Sequence, residues 1–348
     1  MQKSEQILET LTTELTQGQY PVGAKFPSEY ELANRFRVAR LTVNKAVDQL
    51  VAAGWLERGV RGSGTRVRNH RKFPKGRILY IGNLMHNLTT SMALTGLSSQ
   101  AFQRGYYVTA ASPSDTALGD FLATAVASED FTGIVTSNYL WFDNLCSGLP
   151  VVYLDYFISG SHSALYHITS NNAEACRQMV KAVTTRGYRN PVIYTDCHYR
   201  ITERLQRVRG AMQALRELGL DDAEKRLYVG AAENYIKADA VAQLQRILHD
   251  YPKADAIITT SDELALRMRE ALQDAGISSP ERILVTGFGN IPSISNIYHI
   301  PTVEQHFFHI GVAAADMLLD LVEGKSSTEP KTQVVMTELV NLEYIPSR

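Results

Sequence analysis

Cysteine is scarce: Cys146, Cys176 and Cys197 are the only three in 348 residues. Far apart and odd in number, they exclude a disulfide framework and offer no paired spacing for a zinc site, so they read as buried thiols of a reducing compartment. Long apolar runs are missing too, and none approaches the roughly 18 residues of a membrane span. The N-terminal MQKSEQILETLTTEL is an amphipathic helical pattern and lacks the apolar centre of a secretory signal. There is no nucleophile elbow. His162, His167, His198 and His299 fall in no metal-ligand spacing, and GFGNIPS lacks the G-x-G-x-x-G of a phosphate loop. These absences predict a cytoplasmic protein with no membrane partner, no cofactor, no metal and no catalytic machinery.

Net charge is nearly absent as well, at -1, in a chain that is 45% hydrophobic and 20% charged. Such a composition is globular, and the length allows two or three domains. The near-neutral total hides an asymmetry. Residues 1–72 hold 12 lysines and arginines against 7 acidic residues, leaving 23 against 29 for the remainder. Only the first segment suits a polyanion.

That segment also has a distinct local pattern. Ile7, Leu8, Leu11 and Leu15 share one face of a helix expected over about 4–17, which Gly18 and Pro21 end. Ser28 followed three residues later by Glu31 is a capping box that opens a second helix carrying Leu32 and Phe36. A third helix, about 40–53, buries Val43, Ala46, Val47 and Leu50, with Gly54 suited to its end. Two short strands, about 55–58 and 65–68, flank a turn containing Gly59, Gly62 and Gly64. Three helices and a basic hairpin make a winged helix-turn-helix over residues 1–68. A basic segment with Pro74 and Gly76 follows as a linker over 69–76, and residues 77–348 form the rest.

From Arg77 the pattern changes to apolar strands alternating with helices. RILYIG, YYVTAA, GIVTS, PVVYL, NPVIYT, DAIITT and RILVTGF are the strand segments, and helices are expected over about 94–104, 172–186, 203–218 and 262–275. β-Branched runs alternating with helices predict doubly wound parallel sheets covered on both faces. Some eight to ten strands are most economically divided between two lobes.

In a helix-turn-helix the polar face of the later helix enters the major groove, where arginine recognises guanine and asparagine adenine. Arg40, Thr42, Asn44 and Lys45 are the candidates for that role. Ser28 and Tyr30 stand at a helix start suited to phosphate contacts, and Arg61, Gly62, Ser63, Gly64 and Thr65 form the wing tip. In open α/β sheets ligands bind beyond the carboxyl ends of the strands. By that rule the cleft candidates are Asn87, Tyr139, Trp141, Asp155, Arg204, Ser261, Asp262, Asn290 and Gln305, with Asp262 alternatively serving as a helix cap. Amide, carboxylate and arginine groups around aromatic rings match a hydroxyl-rich small molecule.

The pattern Gly18, Tyr20, Pro21, Gly23, Pro27, Ser28, Glu29, Glu31, Leu32, Ala33, then Val38, Arg40, Thr42, Val43, Ala46, Leu50, Gly54, Gly62, Gly64 and Thr65 resembles the DNA-binding domain of the GntR family of bacterial repressors. It departs at Ala39, where the family usually has a capping serine, and at Asn44, where arginine is usual. GLPVVYLD, SNNAEACRQMVKAVTTRGYRNPVIYT, RLQRVRGAMQALRELGL, TTSDELALRMREAL, ILVTGFGN and PTVEQ are similar, in order, to the effector domain of LacI/GalR repressors, itself similar to periplasmic sugar-binding proteins. Here Gly289 stands where that family often has aspartate.

The resemblance implies an α/β protein: an N-terminal winged helix-turn-helix on a two-lobed, periplasmic-binding-protein-like effector domain, as in arabinose-repressor-like regulators. It implies a homodimeric repressor that binds a pseudo-palindromic, double-stranded operator and is gated by a small-molecule effector, a sugar. The alternatives are a solute-binding protein of sugar transport or sensing, an enzyme on the same two-lobed fold, and a regulator fused to an aminotransferase.

Overall fold

The computed structural model describes residues 3–59, 64–68, 75–82, 88–112, 117–127, 131–137, 148–155, 166–200, 203–220, 222–231, 237–325 and 331–348. Internal contacts divide the chain into two units, Met1–Lys75 and Gly76–Arg348.

The first unit is built from α1 (Lys3–Thr16), α2 (Glu29–Phe36), α3 (Arg40–Ala52), β1 (Leu56–Arg58) and β2 (Thr65–Val67). The helical stripes seen in the sequence converge on one core of Ile7, Leu11, Leu15, Phe26, Leu32, Val43, Val47, Leu50, Leu56 and Val67. The capping box forms: Ser28 Oγ accepts from the Glu31 amide while Glu31 Oε2 accepts from the Ser28 amide at 2.7 Å. Arg37, left-handed at φ 51°, ends α2 and turns the chain into α3. Ala39 at the start of α3 gives no side-chain cap. Nearby, the Glu14 carboxylate accepts from Arg35 and from the Tyr20 hydroxyl, tying α1 to α2 and to the segment between them. The Arg35 hydrogen bonds hold that carboxyl below its ordinary range, against the opposing effect of burial. β1 and β2 pair antiparallel, Leu56 opposite Val67.

The second unit begins with β3 (Gly76–Ile81), α4 (Leu88–Arg104), β4 (Tyr106–Ala111), α5 (Leu118–Ala127), β5 (Gly133–Thr136), β6 (Val151–Leu154) and β7 (Tyr166–Ser170). It continues with α6 (Asn172–Thr185), β8 (Pro191–Thr195), α7 (Arg204–Glu217), β9 (Leu227–Val229), α8 (Lys237–Asp250), β10 (Ala256–Thr259), α9 (Asp262–Asp274), β11 (Leu284–Thr286) and α10 (Pro292–Ser295). β12 (Thr302–Glu304), α11 (Phe307–Val322), β13 (Thr332–Val335) and β14 (Glu338–Val340) complete it.

Two parallel sheets result, one of order β13-β7-β6-β5-β3-β4 and one of order β11-β10-β8-β9, with β12 and β14 forming an antiparallel pair. β5, β6, β8 and β10 are buried along their whole length, as strands covered on both faces must be. Each sheet has an apolar core on either face, so there are two lobes. The chain passes between them at 170–172, 304–307 and 335–338. These crossings are tied together, since the Thr337 amide donates to Asn171 Oδ1 at 2.8 Å and Gln305 Nε2 donates to Ser170 Oγ at 3.2 Å.

Twelve strands are present in this unit among the described residues, more than the eight to ten expected. β9, β12 and β14 are only three residues long and β13 four, too short to show alternation in sequence. α4 starts six residues earlier than expected. On α7, a Cβ at Gly210 would lie 1.9 Å from the Ala173 carbonyl, so only glycine permits α6 and α7 to pack this closely.

Candidate nucleic-acid interface and ligand cleft

α2 and α3 place the candidate DNA-reading side chains together. Ser28, Tyr30, Arg40 and Lys45 are exposed, and Thr42 and Asn44 half-buried. Arg40 and Asn44, four residues apart, lie on one face of α3. Glu29, which sequence reasoning assigned no role, joins them: its carboxylate accepts from Arg40 Nε at 3.1 Å and from Asn44 Nδ2 at 2.7 Å. Arg58 on β1 reaches the same carboxylate at 3.4 Å and Asp48 at 2.5 Å. One acidic residue on α2 therefore fixes the orientation of two candidate base-reading groups on α3. Its signal was its place directly before Tyr30 in the capping-box segment. Gly64 is exposed, and the Thr65 carbonyl accepts from the Phe26 amide at 2.8 Å. Arg61, Gly62 and Ser63 lie outside the described residues.

Between the two lobes lies a cavity of about 140 Å³. Asp155, Arg204, Ser261 and Gln305 line it, as do Tyr80, Glu203, Arg207, Glu263 and Phe288. One of these lining residues, Arg207, is buried on α7. Its Nε donates to Asn172 Oδ1 at 2.8 Å and its Nη1 to the Thr260 carbonyl at 2.8 Å. Its Nη2 reaches Gln305 Oε1 at 3.2 Å, Asp155 at 3.3 Å and Glu203 at 3.4 Å. The guanidinium also stacks 4.0 Å from the Phe288 ring centre. Asp155 follows β6 with a left-handed φ of 44° and accepts from Gln305 Nε2 at 3.1 Å. Asp155 of one lobe, Glu203, Arg207 and Thr260 of the other, and Asn172 and Gln305 on the crossing segments thus meet in one network.

Arg204 pairs with Asp196 at 2.8 Å. Burial pushes the Glu203 carboxyl upward; Arg207 opposes this and Asp155 adds to it. Ser261 caps α9, accepting from the Leu264 amide at 3.3 Å.

Asp262 does not line the cavity and is not the cap. It is fully buried, accepting from the Ile291 amide at 2.6 Å and from Thr302 Oγ1 at 2.5 Å, which ties α9 to β12. Burial pushes its carboxyl up to about 7. Asn290 is likewise turned away from the cavity wall: it donates to Glu304 at 2.7 Å and accepts from Ser295 at 2.9 Å. Gly289 has φ 129°, a conformation costly for aspartate, so the acidic groups of this cleft come from other positions. Asn87, Tyr139 and Trp141 lie outside the described residues. Arg207, Glu203 and Glu263 were missed as site residues. The available signal was the Glu203, Arg204, Arg207 spacing, which places all three on adjoining faces at one helix start.

Residues 3–67 match the gntR family of bacterial regulatory proteins, and residues 180–341 match the periplasmic binding protein-like domain. The arabinose metabolism transcriptional repressor of Geobacillus stearothermophilus is 25% identical over 356 residues, covering 96% of this chain and 95% of that protein. The repressor of the same description from Halalkalibacterium halodurans is 25% identical over 320 residues, covering 86% and 84%. Among solved structures, a complex of the transcriptional regulator CelR with cellobiose aligns with a TM-score of 0.68 at 17% identity, covering 90% of this chain and 98% of that one. A LacI family regulator from Silicibacter pomeroyi aligns over 76% and 97% with a TM-score of 0.65 at 22% identity. These alignments show the two-lobed fold. The gntR match sets aside the transport-protein alternative. The chain joins a gntR-family winged helix-turn-helix to a periplasmic binding protein-like effector domain and is a homologue of the arabinose metabolism repressors.

Proposed function

We propose that this DNA-binding repressor works as a homodimer on a pseudo-palindromic operator and is released from it, or retained on it, by a carbohydrate bound between its lobes. The observation that carries the reading is the Arg207 network: an interlobe cavity whose wall is a charged, hydrogen-bonded cluster drawn from both lobes. A ligand there changes the relative stability of lobe arrangements. It gates DNA only through its differential affinity for those arrangements, a coupling of about 1–3 kcal/mol.

On this reading residues 1–68 are the DNA reader, 69–76 the linker and 77–348 the sensor and dimerisation unit, acting in the cytoplasm by binding rather than by catalysis. Arg40 and Asn44, oriented by Glu29, read base edges, with Thr42 and Lys45 beside them. Ser28 and Tyr30 meet phosphates at the start of α2, and residues 61–65 follow the backbone beyond. Asp155, Arg204, Ser261 and Gln305, with Glu203, Arg207 and Glu263, contact the ligand.

A duplex selected from a random pool by the full-length protein supplies the probe. Affinity should fall linearly on a log–log plot as salt rises. A thermal-shift screen of monosaccharides and disaccharides identifies the ligand, because saturation at 100 times Kd stabilises the protein by about 2.7 kcal/mol. Retention of duplex binding in Arg40→Ala, or retention of sugar binding in Asp155→Ala, would overturn the assigned roles.

A further inference from the structure

We infer that the ligand of this cleft is an uncharged polyol, and that Glu203 and Glu263 exclude phosphorylated and acidic sugars; this rests on the carbohydrate reading above and narrows it.

The cavity wall carries three carboxylates, Asp155, Glu203 and Glu263, and two guanidiniums, Arg204 and Arg207. Neither guanidinium is available as a bare cation. Arg204 is paired with Asp196, and Arg207 with Asp155 and Glu203. The remaining Arg207 bonds go to Asn172, Thr260 and Gln305. A phosphate entering here must replace one of these carboxylates on its arginine, exchanging anion for anion with no gain in attraction. Glu263 then remains as an uncompensated neighbour, since it makes no hydrogen bond or ion pair among the described residues.

The helix starts reinforce this. α7 and α9 both begin at the cavity, and helix N-termini are otherwise ready anion sites. A glutamate stands at each: Glu203 at the cap position of α7, where its side chain makes no capping hydrogen bond, and Glu263 in the first turn of α9 behind the Ser261 cap. Hydroxyl groups, by contrast, donate to carboxylates without adding charge.

The test is calorimetric titration of the full-length protein, at fixed pH and salt, with pentoses, hexoses and disaccharides. Each is offered as the neutral sugar, its phosphate ester and its sugar acid. The inference predicts a neutral ligand bound at least about 100-fold more tightly than its phosphate and acid counterparts. In Glu263→Gln, and separately in Glu203→Gln, that ratio should fall about tenfold. A phosphate or acid that binds as tightly as its neutral parent overturns the inference while leaving the carbohydrate reading intact. A ratio unchanged in both variants overturns the role given to the two glutamates. No binding by any sugar overturns the carbohydrate reading and this inference together.

Discussion

Arg207 and Asp155 are 52 positions apart in sequence and belong to different lobes, yet Arg207 Nη2 lies 3.3 Å from Asp155 Oδ2. The arginine is buried and the aspartate nearly so, and Gln305 on the crossing segment bonds to both. The pair is therefore a tie across the cleft as well as part of its wall.

Removing the acidic half leaves a buried guanidinium without its carboxylate across the lobes. Asp155→Ala should destabilise the effector unit by about 3 kcal/mol and abolish sugar binding, while the salt-dependent affinity for duplex DNA persists. Urea unfolding and titration of the same preparation measure both effects.

Glu29 holds Arg40 and Asn44 in place rather than touching solvent as a free carboxylate. Glu29→Ala should weaken binding to the selected duplex by about 1–3 kcal/mol while changing affinity for random duplex much less, because only oriented side chains read base edges. Glu29→Gln, which keeps an acceptor, should recover part of the discrimination. Competition assays with the two duplexes distinguish these outcomes from a general loss of fold.

The Asp262 carboxyl is pushed up to about 7 by burial, far above its ordinary 3.8. A raised carboxyl stabilises the folded state most fully at low pH, and that contribution is lost as pH rises through the folded value. Stability should therefore fall from about pH 4 to about pH 7, by at most about 1.4 kcal/mol per pH unit from this group, and level off above that. Asp262→Asn should flatten the slope, since the amide oxygen can accept from Ile291 and the amide nitrogen donate to Thr302. Urea midpoints between pH 5 and pH 8 decide this.

Helix α3 starts at Ala39 without a side-chain acceptor, although its φ of -63° and ψ of 143° are those of a capping residue. Ala39→Ser should stabilise the DNA-binding unit by about 1 kcal/mol. Hydrogen exchange of the α3 amides in the full chain reads this change locally.

The DNA-binding unit was legible because its determinants are local. A capping box, three helical stripes and a glycine-rich hairpin each declare themselves within a few residues, and the core unites the positions they predicted. The alternation of strands and helices likewise declared the parallel sheets. The cleft was legible only in part. Asp155 and Gln305 follow strands at the expected ends, but their contact spans 150 positions and is created by the crossing segments. Arg207 lies inside a helical stretch whose periodicity says nothing of what α7 faces. Asp262 misled because an aspartate opening a helix usually caps it. Here Ser261 performs that task, and the carboxylate turns back to Ile291 and Thr302.

On the proposed function, occupancy of the cleft governs the DNA reader. Affinity for the selected duplex should be measured across a salt series, with and without a saturating sugar identified by the thermal-shift screen. Both series should show a steep negative salt dependence, offset from one another by about 5–150-fold at every salt concentration. Superimposed series, with the sugar shown by titration to fill the cleft, would contradict it.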